Sequence, residues 1–154
     1  MSIKEGDKAP AFTLPTDGGG TVSLAEFKGR PVVLYFYPRD DTPGCTKEAC
    51  EFRDLLPDFS RVKAEIIGVS RDGVASHDKF KAKFELPFRL ASDEDGTVCE
   101  AYGAWGERSM YGRTFMGVVR STFLIDGKGV LRKAWRYVKL PGHVEEVLAA
   151  VQAL

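Results

Sequence analysis

Residues 31–37 form a short apolar run that leads, within a few residues, into the start of a helix. β-Branched and aromatic side chains dominate this run, which is typical of a strand buried on both faces of a sheet. Downstream, Thr42 is a suitable helix N-cap and Pro43 suits the first helical position. A buried strand followed directly by a helix is a unit of α/β folds, so this segment restricts the class of fold open to the chain.

Apolar periodicity and turn residues predict the other elements. Pro57 is expected to interrupt the first helix, which Phe59 and Val62 could continue, and the Gly-rich, polar segment 104–117 is expected to be an irregular surface loop. The predicted elements, in chain order, are a β-hairpin over 12–24, a strand over 31–37, a helix over 43–56, a strand over 65–70, a helix over 73–85, a strand over 88–91, a short helix over 95–103, two strands over 118–125 and 130–138 that a hairpin turn joins, and a helix over 142–154.

This order indicates an α/β fold with a mixed central sheet, helices on both faces and an N-terminal β-hairpin. Such a layout resembles the thioredoxin-like fold. The chain has 154 residues, enough for one core, and no linker, charge block or repeat divides it, so we expect a single domain over 1–154. In such sheets the natural site lies at the carboxyl end of a parallel strand, which is where Cys45 falls.

Charge and hydropathy exclude several classes of partner. The chain has 22 Lys and Arg against 22 Asp and Glu, without a basic stripe, so neither a nucleic acid nor an anionic membrane is predicted to bind. No apolar run approaches the ~20 residues of a membrane helix, and residues 1–7 lack an apolar targeting segment. We therefore expect a cytoplasmic protein whose partner is a small molecule or another protein.

The chain has three cysteines, an odd number, and stable disulfides are rare in the cytoplasm. Transient redox chemistry is therefore expected rather than structural disulfides. Zinc is poorly supported, because no Cys-x-x-Cys pair occurs. His77 and His143 are isolated from each other and from the cysteines, and are predicted to be surface or cap residues. No metal or cofactor is expected.

Cys45 is the candidate nucleophile, because it falls in the predicted first turn of the helix. Free backbone N–H groups and the positive end of the helix dipole surround a sulfur at that position. An ordinary cysteine has a pKa of about 8.5, and helix N-termini and nearby cations lower the pKa of a thiol. The alternative is that Cys45 is a small buried hydrophobe that happens to begin a helix.

The pattern Pro38-x-x-x-Thr42-x-x-Cys45 resembles the active-site pattern of peroxiredoxins, specifically the PrxQ branch, which is also called bacterioferritin comigratory protein. Cys50 matches the second cysteine of that branch, and Arg120 matches its catalytic arginine. The similarity extends from about residue 6 to the C-terminal helix. It implies a thiol peroxidase that reduces hydrogen peroxide and organic hydroperoxides and is recycled by thioredoxin or a similar dithiol, as a monomer or weak homodimer.

The resemblance also implies roles for single residues. Arg120 would hold the Cys45 thiolate and polarise the peroxide, since a guanidinium donates to two atoms at once; the alternative is a strand-end arginine that extends into solvent. Pro38 and Gly44 would line the substrate pocket, although Pro38 could simply end the strand. The hydroxyl of Thr42 would cap the helix, or donate to the sulfur and orient the peroxide.

Cys45 would become a sulfenic acid and then form a disulfide with Cys50, while Cys99 is the alternative resolving residue. If Cys45 and Cys50 share one helix, roughly 7.5 Å of axial rise separates them, more than the ~7 Å between Cα atoms that a disulfide tolerates. We therefore expect the first turns of the helix to unwind in each cycle. Glu48 is explained by ordinary dipole complementarity and is not counted as catalytic.

Two other functions compete with this prediction. A thiol–disulfide oxidoreductase shares the fold, but the Cys-x-x-Cys that sets the redox potential of such enzymes is missing, and Arg120 would have no task there. A redox sensor or interaction module, switched by a Cys45–Cys50 disulfide, is the non-enzymatic alternative.

Overall fold

The computed structural model describes residues 3–154. Its strands are β1 (Thr13–Pro15), β2 (Thr21–Ser23), β3 (Val32–Phe36), β4 (Glu65–Ser70), β5 (Arg89–Ser92), β6 (Trp105–Met110), β7 (Arg113–Val118), β8 (Ser121–Ile125) and β9 (Leu131–Arg136). Its α-helices are α1 (Pro43–Arg61), α2 (Val74–Phe84), α3 (Thr97–Ala101) and α4 (His143–Gln152). Within residues 3–154, none of the helices is long and apolar enough to cross a membrane.

A five-stranded sheet with the order β5-β4-β3-β8-β9 forms the centre of the fold. β3 pairs in parallel with β4, and β4 with β5, whereas β8 runs antiparallel to both β3 and β9. β1 and β2 form a separate antiparallel hairpin near the N-terminus. The predicted mixed sheet and N-terminal hairpin are therefore confirmed.

The two faces of the sheet carry separate clusters of buried side chains, because alternate residues of a strand point to opposite faces. Val33 and Tyr35 of β3 face the cluster that includes Cys45 and side chains from α1, α2 and α4. The intervening β3 residues face a second cluster, which includes Cys99 of α3 and the β1–β2 hairpin. Helices thus cover both faces, and Cys45 and Cys99 belong to opposite faces.

The end predicted for the first helix near residue 56 is wrong, and the alternative that the helix continues past Pro57 is confirmed, since α1 runs through this residue to Arg61. A proline inside a helix lacks one backbone donor and disturbs the preceding turn. Phe52 and Phe59 lie on either side of Pro57 and are both completely buried. Burial of these two rings against the sheet holds both halves of the helix, which illustrates that tertiary packing outweighs local propensity.

The segment predicted to be an irregular loop over 104–117 is a β-hairpin instead. β6 and β7 pair antiparallel from Trp105 opposite Val118 to Met110 opposite Arg113. The two residues between the strands, Tyr111 and Gly112, both have positive φ (53° and 77°), which is the conformation of a tight two-residue hairpin turn. Val118 therefore ends β7, and the strand predicted over 118–125 begins only at Ser121.

Candidate active site

Cys45 lies in the first turn of α1, as the sequence predicts. Thr42 has the extended backbone of an N-cap residue, Pro43 begins the helix, and the N–H of Thr46 donates to the Thr42 carbonyl at 2.8 Å. The Cys45 residue is only 2% exposed. The helix start therefore places the sulfur at the positive end of the helix dipole and away from bulk water, where an anion is stabilised.

The expectation that the Thr42 hydroxyl caps the helix is wrong in this state. The hydroxyl instead donates to the carbonyl of Arg39 at 2.9 Å, and α1 has no side-chain cap hydrogen bond. Threonine hydroxyls commonly bond to nearby backbone in this manner, which stabilises turns at the expense of caps. Thr42 thus fixes the turn before the helix, and its proton is not directed at Cys45.

Arg120 lies in the connection between β7 and β8 and turns inward, with 17% of its side chain exposed. Its Nη2 donates to the Sγ of Cys45 at 3.3 Å, and its Nη1 donates to Oε1 of Glu48 at 2.6 Å. Its carbonyl accepts from the N–H of Val138 at 3.0 Å, which fixes the backbone there. Because a guanidinium can only donate, the sulfur must accept, and this favours the thiolate.

Burial opposes the charge on Arg120, but the neighbouring Glu48 and Cys45 raise the pKa of the guanidinium above its ordinary value. Arg120 therefore remains a cation at any pH that the folded protein experiences. The side chain of Arg120 turns toward Cys45 and Glu48, so the alternative that it extends from a strand end into solvent is wrong.

Glu48 is completely buried and follows Cys45 by almost one helical turn, so both side chains reach Arg120. Burial raises the pKa of Glu48 from 4.5 to about 7, although the charge of Arg120 acts in the opposite direction. The second carboxyl oxygen, Oε2, has no hydrogen-bond partner in the described part of the chain. Glu48 is therefore part of the site and not a solvent-exposed acid beside a helix dipole. Its place on the apolar face, next to Ala49 and Phe52, was the sequence signal for this burial.

Gly44 and Pro38 shape the surroundings of the sulfur. A Cβ at Gly44 would lie 3.1 Å from Nη2 of Arg120 and 3.9 Å from Leu140, so the missing side chain leaves room for the guanidinium. Pro38 is half-buried and follows Tyr37, whose N–H makes a further bond to Val69 at 3.0 Å. Pro38 has no N–H, and the pairing of this strand accordingly ends there.

The AhpC/TSA family model matches residues 5–134. The chain belongs to the AhpC/TSA family. It is 53% identical to a putative peroxiredoxin bcp of Coxiella burnetii over 148 residues, which cover 96% of this chain and 98% of that relative. It is 49% identical to peroxiredoxin Bcp of Bacillus subtilis over 152 residues, which cover 99% of this chain and 97% of that protein.

Solved structures give the same assignment. A structure of the Xanthomonas campestris bacterioferritin comigratory protein has a TM-score of 0.87 and 46% identity, and the match covers 92% of this chain and 90% of that one. A cysteine-to-serine mutant of Xylella fastidiosa PrxQ has a TM-score of 0.93 and 41% identity, with 99% and 98% covered. The chain is thus a thiol-dependent peroxidase of the Bcp/peroxiredoxin Q type with the thioredoxin-like fold. Its substrate is a peroxide and its partner a thiol reductant.

The other two cysteines of this peroxiredoxin differ sharply in environment. Cys50 is half-buried and lies on α1 together with Cys45. Cys99 is completely buried, and its burial together with the adjacent Asp93 carboxylate raises the pKa of its thiol. All three cysteines are free thiols. Cys50 therefore shares the helix of the nucleophile, whereas Cys99 is an uncharged core thiol.

Both histidines are buried, so the prediction of surface positions is wrong. His143 begins α4 and is 6% exposed; its Nε2 lies 2.9 Å from the hydroxyl of Thr122, and burial lowers the pKa of this imidazole. His77 is completely buried between Asp40 and β5. Both imidazoles are placed by partners distant in sequence, which a reading of local composition does not detect.

Replacement of Glu48 by Gln tests the effect of the buried carboxyl on pH-dependent stability. The folded protein holds the Glu48 proton more tightly than the unfolded chain does. The resulting stabilisation is complete below pH 4.5 and is lost as the pH rises through about 7. Relative to Glu48→Gln, the wild type should lose about 3 kcal/mol of unfolding free energy across this range. Urea denaturation of both proteins at a series of pH values measures this difference, and parallel stability profiles would contradict the assignment.

Proposed function

We propose that Cys45 is the peroxidatic cysteine of this enzyme and that Arg120 is its catalytic cation. The observation that carries the proposal is the bridge that the guanidinium makes to the Cys45 sulfur and to Glu48. The thiolate attacks one peroxide oxygen, the O–O bond breaks, and the sulfur becomes a sulfenic acid. The second oxygen leaves as hydroxide or alkoxide beside the guanidinium and takes up a proton to give water or alcohol.

Cys50 is proposed as the resolving cysteine. Its thiolate attacks the sulfenic sulfur of Cys45, the S–O bond breaks as the disulfide forms, and the oxygen leaves as hydroxide, which takes up a proton to give water. Five residues of helix correspond to about 7.5 Å of rise, more than disulfide geometry allows. Because both cysteines lie on α1, its first turns must unwind before the bond can form.

The fold opposes the alternative that Cys99 resolves the sulfenic acid. Cys45 and Cys99 belong to clusters on opposite faces of the central sheet. Elements pack about 10 Å from a sheet on each face, which is beyond the reach of a disulfide. Pairing these two sulfurs would require a rearrangement of the core, whereas pairing with Cys50 requires only the end of a helix to open.

We further propose that thioredoxin or a similar dithiol reduces the disulfide, and that the substrates include hydrogen peroxide and organic hydroperoxides. The alkyl peroxide reduction activity of the related Xanthomonas campestris protein supports the second substrate class. The Thr42 hydroxyl, whose own proton goes to the Arg39 carbonyl, accepts from the peroxide O–H and orients it once it enters, and Pro38 and Gly44 line the pocket. A cytoplasmic location and a monomer or weak homodimer remain predictions from the sequence.

The decisive experiment identifies the sulfurs that pair after oxidation. Trypsin cleaves after Lys47 and thus separates the two cysteines of α1. After one equivalent of peroxide, mass spectrometry should find peptide 40–47 linked to peptide 48–53, because Cys50 is on the helix that opens. A link from 40–47 to 90–108 would assign resolution to Cys99 and contradict the unwinding step.

The Cys50→Ser variant is the matched control for this experiment. It should complete one reaction with peroxide and then fail to recycle with thioredoxin, since Cys45 is untouched and the disulfide partner is lost. Continued recycling in Cys50→Ser would contradict the proposed role. A wild-type disulfide that forms but supports no repeated turnover with thioredoxin would indicate the redox-sensor function instead.

A further inference from the structure

A buried carboxylate, Asp40, ties down the active-site loop 38–42 between β3 and α1. Its Oδ1 accepts from the Tyr37 hydroxyl at 2.5 Å, and its Oδ2 accepts from the Ser76 hydroxyl at 2.8 Å. The same Oδ2 lies 2.7 Å from Nδ1 of His77. The side chains of Asp40 and His77 are 3% and 0% exposed. The loop that precedes Cys45 is therefore fixed to α2 through one carboxylate.

The second ring nitrogen of His77 determines where its proton lies. Nε2 lies 3.0 Å from the carbonyl of Ala91 in β5. A carbonyl oxygen can only accept, so Nε2 must carry a proton. A hydrogen bond between Nδ1 and Asp40 then needs one more proton, which makes the pair an imidazolium and a carboxylate. If that proton is lost, the ring keeps a single N–H, so either the Asp40 carboxylate or the Ala91 carbonyl loses its donor, and His77 no longer joins loop 38–42 to β5 through two hydrogen bonds.

The surrounding groups favour the protonated pair. Burial acts to lower the pKa of His77, but the hydrogen bond and charge of Asp40, the Ala91 carbonyl and the charge of Asp72 raise it above its ordinary value. Asp72 also accepts the backbone N–H of Asp40 at 2.8 Å. Burial raises the pKa of Tyr37 strongly, so its hydroxyl remains a donor to Asp40. The connection from loop 38–42 through His77 to β5 therefore has both of its hydrogen bonds below the raised pKa of His77 and loses one of them as the pH rises through it.

We propose that Asp40 and His77 form a proton-dependent latch that positions loop 38–42 for the reaction of Cys45 with peroxide. Both are positioning residues and act through the loop. The latch also sets how readily the first turn of α1 opens, because Thr42 and Pro43 continue directly from the latched loop. A closed latch favours peroxide attack by the folded site, and an open latch favours unwinding and disulfide formation. The kinetic part of the proposal rests on the proposed function.

Two isosteric variants separate the two contacts of His77. In His77→Asn the amide nitrogen takes the place of Nδ1 and retains the donor to Asp40. In His77→Gln the amide nitrogen takes the place of Nε2 and retains only the donor to Ala91. A latch predicts that Asn preserves the loop and Gln releases it, whereas a purely structural histidine predicts equal damage from both.

Hydrogen exchange of the reduced full-length protein measures the latch without peroxide. In His77→Gln, amides of 40–46 should exchange about tenfold to a hundredfold faster than in the wild type, as expected for loss of a hydrogen bond to a charged group. His77→Asn should remain within about threefold of the wild type, since its donor persists. Amides of α4, which makes no hydrogen bond to Asp40 or His77, serve as the internal reference. Equal exchange at 40–46 in all three proteins would overturn the latch.

The pH profile provides a readout that lost packing alone would not change. After correction for intrinsic exchange, protection of 40–46 in the wild type should fall as the pH rises through the raised pKa of His77. His77→Gln should show no such step, and a step of equal size in both proteins would overturn the proposal. Ser76→Ala, which removes one donor from Asp40, should give an intermediate loss of protection. This milder variant keeps the test valid if His77→Gln does not fold.

Rapid mixing with peroxide then tests the kinetic consequence. In the Cys50→Ser background, His77→Gln should slow the peroxide step about tenfold, while His77→Asn should leave it within about threefold. With Cys50 present, His77→Gln should speed disulfide formation. An unchanged peroxide step in His77→Gln would contradict the positioning role. If wild-type Cys45 is not oxidised at all, the proposed function is wrong, and the exchange data still decide whether the latch exists.

Discussion

Replacement of Cys45 by serine is expected to abolish the reaction with peroxide. A serine hydroxyl stays protonated near neutral pH and is a far weaker nucleophile than a thiolate. Cys45 is 2% exposed, and serine differs from cysteine by one atom, so the variant should retain the fold. Stopped-flow measurement of peroxide consumption, with reduced protein in equal concentration, gives the result directly.

Cys99→Ala is the matched control for that experiment. Cys99 is completely buried on the opposite face of the sheet and contributes nothing to the proposed site. The variant should therefore complete its first reaction with peroxide at the wild-type rate. Peroxide consumption that survives in Cys45→Ser, or disappears in Cys99→Ala, would contradict the assignment of the nucleophile.

Arg120→Met should lower the second-order rate constant for hydrogen peroxide by about 10²–10³, the usual effect of removing one preorganised donor from a developing charge. Methionine replaces the stem of the arginine and removes the cation that contacts both the sulfur and Glu48. The rate constant of Arg120→Lys should lie between those of the wild type and Arg120→Met, because an ammonium retains the charge but not the two parallel N–H donors of a guanidinium. Stopped-flow competition against a peroxidase of known rate measures all three.

A second variant separates the rate effect of Arg120 from a loss of stability. Removing one partner of a buried ion pair costs about 3–5 kcal/mol, since the other charge is left without compensation. The double variant Arg120→Met with Glu48→Gln removes both charges, and should recover much of the stability while the peroxide reaction stays slow. If the double variant recovers the rate together with the stability, Arg120 has no direct part in the chemistry.

Local chemistry was sufficient to predict the centre of this site. The buried strand over 31–37, Thr42 before the helix and Pro43 at its start place Cys45 in the first turn of α1, where the structure has it. Turn residues also predicted the hairpin that joins β8 to β9. These features depend on contacts between residues close in sequence, so spacing and residue type were enough.

The features that were missed depend on distant partners. The β6–β7 hairpin is largely exposed, so its strands lack the apolar alternation by which strands are recognised; the Tyr111–Gly112 turn was its clearest signal. Glu48 and His77 lie in helices, where acidic and basic side chains usually face solvent. Their burial follows from Arg120 and Asp40, which lie 72 and 37 residues away in the chain.

Time-resolved mass spectrometry after a single equivalent of hydrogen peroxide tests the central claim most directly. The reduced protein is mixed with peroxide, quenched at successive times and digested, and each cysteine peptide is weighed. We predict that the first oxygen atom appears on Cys45 alone, at the rate at which peroxide disappears. An oxygen that appears first on Cys50 or Cys99, or peroxide loss no faster than with free cysteine, would contradict the account.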